Sequence, residues 1–92
     1  MTEILTRRLA PSPDAMESAV GDETVILHLK NGAYYGLDAV GTEIWGLLKQ
    51  GLDPLTICAK IAADHGVDRS VVEVDATRFL TDLQAHDIIH DA

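Results

Sequence analysis

This 92-residue sequence has little cysteine, few basic side chains and no long apolar run, and each shortage excludes something. A single cysteine, Cys58, cannot close an internal disulfide, so a chain without a covalent staple in a reducing, cytoplasmic setting is expected. Only 7 Lys and Arg stand against 15 Asp and Glu, giving a formal charge of −8 and a pI near 4.6. Nucleic-acid binding relies on Lys and Arg that release counterions from phosphates, and an anionic membrane surface attracts the same residues. Neither is expected as a partner, since the sole basic pair is Arg7-Arg8. No uncharged stretch approaches the roughly 18–20 apolar residues that span a bilayer. Met1 to Ala10 carries Glu3, Arg7 and Arg8 without an apolar core, so no secretory signal is expected there.

Catalytic signatures are missing too. There is no Cys-x-x-Cys, Walker loop, Gly-x-Gly-x-x-Gly or His-Glu-x-x-His pattern. The acids are scattered, with no pair suited to acid–base work. Cys58 falls on the inner face of a predicted helix and reads as a small buried hydrophobe rather than a nucleophile. His86-x-x-x-His90, with Asp87 and Asp91 nearby, is the nearest approach to a metal signature, and it requires a helix that persists to residue 90. Histidines near a chain end are more often solvated. His28 reads as a packed or half-exposed hairpin side chain. A protein without catalytic residues, cofactor or metal is expected.

What is present is a foldable chain. Hydrophobic residues make up 47% and mean hydropathy is +0.08, too apolar for disorder. The length fits one domain over residues 1–92, with 1–14 its least defined segment. Pro11-Ser12-Pro13-Asp14 breaks two short extended pieces, Leu5–Ala10 and Ala15–Val20. Thr24 to Leu29 is apolar and β-branched, and Asn31-Gly32 before Ala33–Leu37 predicts a hairpin with a type I′ turn. That register sets Leu29 opposite Tyr34, His28 opposite Tyr35 and Leu27 opposite Gly36. Both hairpin faces are then partly apolar. One is explained by a core; the other asks for a cover.

Three helices follow. The first starts after Asp38, carries Val40, Ile44, Leu47 and Leu48 as its stripe and stops at Gly51. Asp53-Pro54 opens the second, lined by Leu55, Cys58, Ile61 and Ala62 and closed by Gly66. The third begins near Asp68 or Ser70, where Ser70-x-x-Glu73 fits a capping box, and its core arc is Val72, Ala76, Phe79, Leu80 and Leu83. Ile88-Ile89 tucks the C-terminus down. A small antiparallel sheet of about three strands followed by three helices is the order of a winged-helix-like α+β domain. DNA reading by the third helix is disfavoured, because between residues 68 and 92 the acids outnumber Arg69 and Arg78.

A peptide surface fits better. Ala33–Leu37 can be a free sheet edge, to which an extended peptide adds as another strand. Val71, Asp75, Arg78 and Asp82 form a second stripe on the third helix, with Val74 further round. Facing the edge, that stripe makes a groove with an apolar floor and charged rim, to which Tyr34 and Tyr35 add amphipathic area. The alternative is that the tyrosines pack the core and the stripe is simply solvated.

The run Thr24–Trp45 carries an apolar strand, a turn, Tyr34-Tyr35-Gly36-Leu37 and Gly41-Thr42-Glu43-Ile44-Trp45. With Asp75 and Phe79-Leu80-x-x-Leu83, it resembles the PqqD-like proteins, the recognition elements for precursors of ribosomally made, modified peptides. The resemblance covers roughly residues 15–90. It implies a winged-helix-like fold that binds a precursor's leader as an added strand, here against Ala33, Tyr34, Tyr35 and Gly36 and beside Val71, Val74, Asp75 and Arg78. Within the family the chain is most similar to the stand-alone leader-binding proteins of lasso-peptide biosynthesis. Their partners are a leader peptidase and a macrolactam-forming cyclase, and their leaders carry Tyr, Pro and Leu anchors. The resemblance implies an adaptor that presents the leader to those enzymes, and a monomer or weak dimer is expected. Alternatives are a chaperone of the pyrroloquinoline-quinone precursor, whose basic and aromatic first strands are not evident here, and a winged-helix DNA regulator.

Overall fold

Glu23–His28 alternates as a half-buried strand must: Thr24, Ile26 and His28 are buried, while Val25 and Leu27 lie only half covered. The computed structural model describes residues 3–92, so expectations touching Met1 and Thr2 lie outside the described residues. The chain opens with a short 3-10 helix, Glu3–Thr6, followed by β1 (Leu9–Pro11), β2 (Ala15–Val20), β3 (Glu23–His28) and β4 (Tyr34–Leu37). Helices α1 (Ala39–Lys49), α2 (Pro54–His65) and α3 (Arg69–Ala85) follow, and β5 (Ile89–Asp91) ends the fold. β2, β3 and β4 form an antiparallel sheet in that order, and β1 pairs separately with β5. This is the α+β architecture expected, with the second small sheet added.

Two of the three helices, α1 and α2, begin where a carboxylate accepts an orphan backbone N–H. Asp38 Oδ1 accepts from Gly41 N at 2.8 Å, and Asp53 Oδ2 from Thr56 N at 3.3 Å. α2 ends on Gly66 in the left-handed region, with φ 65° and ψ 36°. The core gathers Ile26, Trp45, Leu48, Ile57, Leu80 and Leu83 between the sheet and the three helices. Ile88 and Ile89 are buried beneath, as expected. No helix among the described residues is long and apolar enough to cross a membrane.

Several local expectations are corrected. The hairpin pairs Leu27 with Tyr34, Ile26 with Tyr35 and Val25 with Gly36, a shift of register by two residues. Gly32 has φ 73°, but Asn31 is not in the left-handed region, so the type I′ turn does not form. Instead His28 Nδ1 accepts from Lys30 N and Asn31 N at 3.3 and 3.4 Å, and Asn31 Oδ1 accepts from Ala33 N at 2.9 Å. The loop is longer, held by buried His28. Because the slip is even, every side chain keeps its face. In α1, Val40 is exposed and Trp45 is buried in its place, since Gly41, Ile44, Trp45 and Leu48 form the inward arc. The capping box of α3 is absent: Asp68 is the N-cap, Ser70 lies inside the helix, and Glu73 takes Arg69 Nε at 2.8 Å. The expected extended piece Leu5–Ala10 is divided, with Leu5 in the 3-10 helix, where Ile4 and Leu5 plug the core.

Candidate functional site

Backbone accounting decides which sheet edges can accept a further strand. His28 N donates to Ala33 O at 2.9 Å, which sets the phase of the β3–β4 ladder. Ladder alternation then turns the N–H and C=O of Tyr35 and Leu37 toward β3 and those of Tyr34 and Gly36 outward. Of the four expected edge residues, Tyr34 and Gly36 therefore offer free backbone groups. Gly36 also has open space where a Cβ would stand, so another chain can come close.

The opposite edge, β2, is built differently. Leu29 N donates to Asp14 O at 2.8 Å, so Ala15, Glu17 and Ala19 direct their backbone groups outward. The Glu17 side chain turns to the helix side of the sheet, where Trp45 Nε1 donates to Oε1 at 2.9 Å and Lys49 Nζ to Oε2 at 2.8 Å. An inward-turned charge of this kind blunts an edge against strand addition. The Lys49 hydrogen bond holds the Glu17 carboxyl below its usual range, against an opposing effect of burial and with help from Trp45.

Tyr35 links the open edge to α3. Its Oη donates to Asp82 Oδ2 at 3.2 Å, and its ring meets that of His86 edge-on at 5.2 Å. Burial pushes the Tyr35 phenol above its ordinary value, and the Asp82 hydrogen bond and charge add to that, so it remains a donor. Directly after β4, Asp38 leads into a cavity of about 410 Å³ between the N-terminal halves of α1 and α3. Val40, Gly41, Ile44, Val71, Val72 and Phe79 supply its apolar wall, with Asp38, Asp75 and His65 among its polar groups. The helices approach closely there: a Cβ on Gly41 would stand 3.2 Å from the Phe79 ring.

Among the residues expected from sequence, Val71 and Asp75 line this cavity, and Tyr35 packs between the edge and α3. Tyr34 is 73% exposed, and Ala33, Val74 and Arg78 are also exposed outside the cavity wall. Val40, Val67 and Phe79 also line the cavity, although none of them stands among the site residues expected from sequence. Val40 fitted the helix stripe and Phe79 the core arc, and Val67 carried no periodic signal after Gly66. The histidine pair does not form a ligand set. α3 stops at Ala85, His86 is its C-cap with Nδ1 against Asp82 O at 2.8 Å, and His90 lies on β5. Among the described residues no group of three His, Cys, Asp or Glu side chains could hold a metal ion. Cys58 is buried, and burial raises its thiol away from reactivity, with Glu73 adding to the effect.

The family model of coenzyme PQQ synthesis protein D (PqqD) matches residues 23–89, which include β3, β4 and all three helices. Two solved structures are similar. TbiB1 in complex with the TbiA(beta) leader peptide superposes with a TM-score of 0.83 at 41% identity, covering 88% of this chain and 94% of that one. Lasso peptide synthetase B1 complexed with the leader peptide gives a TM-score of 0.82 over 90% and 98% of the two chains, and at 19% identity it shows the shared fold. No curated protein sequence matches this chain.

Proposed function

The chain belongs to the PqqD family, and from that membership we propose that it is a non-catalytic adaptor for a ribosomal precursor peptide of a lasso-peptide pathway. It binds the precursor's leader by strand addition and presents it to the leader peptidase and the cyclase. The observation that carries this reading is the asymmetry of the two sheet edges. β2 is blunted by Glu17, whereas β4 presents Tyr34 and Gly36 beside an apolar cavity. The leader pairs with the outward backbone groups of β4. Its apolar side chains reach toward Tyr35 and into the cavity walled by Val71 and Val72. Asp75, Val74 and Arg78 border its path along α3, and Ala33 shapes the entry to the edge. The likeness to TbiB1, itself in complex with a leader peptide, supports the same occupant. The domain spans the whole chain, and holding the leader raises the effective concentration of the attached core peptide at the enzymes.

A fluorescent synthetic leader from the pathway's precursor, titrated into the full chain, tests the function. One-to-one binding with a Kd of about 1 μM or tighter, lost with a scrambled leader, is expected. Gly36→Pro removes one outward N–H without touching the β3 ladder, a position where an edge strand tolerates proline. It should weaken the leader by about tenfold or more while the circular dichroism spectrum is kept. Equal affinity of the scrambled leader rejects the proposal.

A further inference from the structure

Glycine in a strand has no side chain to pack and costs backbone entropy, so its presence there marks a bulge, an unusual backbone conformation or a close approach. At Gly36 the first two do not apply. The β3–β4 register runs unbroken from Thr24 opposite Leu37 to Leu27 opposite Tyr34, which leaves no bulge. Gly36 also lacks the positive φ found at Gly21, Gly32, Gly51 and Gly66. Nothing of its own fold lies within 4 Å of where a Cβ would stand, so the approach comes from outside the chain.

The missing side chain opens a notch on the sheet face away from the helices. Strand alternation puts Met16, Leu27 and Tyr34 in one row across β2, β3 and β4 on that face, and Ser18, Val25 and Gly36 in the next. Half-buried Val25 therefore shows toward the β4 edge, and exposed Tyr34 walls the notch on one side. The carboxylates nearest in this pattern lie beyond it. Glu23 is one row further along β3, and Asp38 Oδ1 is held by Gly41 N at 2.8 Å.

The geometry is the same for a parallel or an antiparallel leader. In either direction the residue beside Gly36 turns its side chain to the outer face, while its two neighbours turn toward Tyr35 and the cavity. Two strand spacings, about 10 Å, separate that residue from Val25, and only a long side chain lying over Gly36 crosses them. An aromatic ring laid over an edge glycine supplies the packing that the glycine lacks. We propose that the Gly36 notch, backed by Val25 and walled by Tyr34, is a specificity subsite for one large apolar side chain of the leader. That side chain is aromatic, Leu or Met, and it stands at the leader position beside Gly36. The inference rests on the adaptor reading and adds an outward-facing anchor, so that the leader is read on both faces of its strand.

The test is an alanine scan of the fluorescent leader against the full chain as wild type, Gly36→Val and Val25→Thr. Gly36→Val keeps both outward backbone groups, meets no neighbour and favours a strand, so the fold is retained. Its side chain fills the notch, and the unaltered leader should bind about tenfold more weakly. One leader position should then stand out. Its alanine variant loses about tenfold against the wild type and nothing against Gly36→Val, a coupling read from a double-mutant cycle. Val25→Thr keeps the branched shape and adds a hydroxyl, and it should cost the unaltered leader about threefold while leaving that alanine variant unaffected. Lysine at the same leader position should lose as much as alanine does. Equal affinity of the unaltered leader for wild type and Gly36→Val overturns the proposal. A loss spread evenly over every leader variant, or full affinity with lysine, overturns it as well. Absence of leader binding by the wild type is a different failure, that of the adaptor reading, and the subsite falls with it.

Discussion

Glu17 joins a strand to a helix and guards an edge, so its chemistry can be separated from its position. The carboxylate accepts from Trp45 Nε1 and from Lys49 Nζ, and the latter contact holds its folded pKa below the ordinary glutamate range. A depressed carboxyl stabilises the fold fully above its unfolded pKa, and that contribution is lost as pH falls through the folded one. Glu17→Gln keeps an oxygen for the indole and removes the charge. Thermal melts from neutral to acid pH should therefore fall more steeply for the wild type than for this variant. The difference should stay below about 1 kcal/mol, because the ion pair is solvent-accessible. Tyr35 separates in the same way. Tyr35→Ala removes both the ring against His86 and the hydroxyl on Asp82, and it should weaken the leader by about tenfold. Tyr35→Phe keeps the ring and should remain within about threefold of wild type by anisotropy. Unchanged affinity for a folded Tyr35→Ala would remove that side chain from the leader's path.

At the scale of elements, the most local signals are also the most consequential. Gly66 ends α2 in the left-handed region with nothing within 4 Å of its missing Cβ, so a substitution there meets backbone strain alone. Gly66→Ala should cost about 1–2 kcal/mol in urea unfolding. The same logic made the helices legible in sequence: Asp38 and Asp53 open two of them, Gly51 and Gly66 follow their ends, and the apolar arc of α3 needed only periodicity. β2 was readable from Ala15 to Val20 because Gly21-Asp22 bounds it. The hairpin register was not readable, since Asn31-Gly32 signals a two-residue turn while buried His28 captures the N–H groups of Lys30 and Asn31. That competition depends on burial, which no local pattern displays. The β1–β5 pairing was hidden for a related reason, with three-residue strands whose partners lie at opposite ends of the chain. The candidate site divides likewise. Val71 and Asp75 stood out as a stripe on one helix, while Val40, Val67 and Phe79 join them only through tertiary approach.

The whole molecule is a weak polyanion with an apolar cleft on one side and an apolar sheet face on the other. Its −8 charge acts on every charged ligand at long range, before any contact forms. Arg78 is an exposed cation on α3, placed between the acids Asp75 and Asp82 along the helix. For an acidic leader segment it is the local exception in a repelling field, and for a basic one it is a local obstacle. Arg78→Glu should therefore weaken an acidic leader by a few-fold and favour a basic one, with both effects shrinking at high salt. A leader variant with its charges reversed, titrated against both proteins at two salt concentrations, completes a double-mutant cycle. A coupling that vanishes with salt assigns Arg78 to the rim of the leader's path. Zero coupling at low salt puts the leader beyond its reach and moves the charged border toward Asp75.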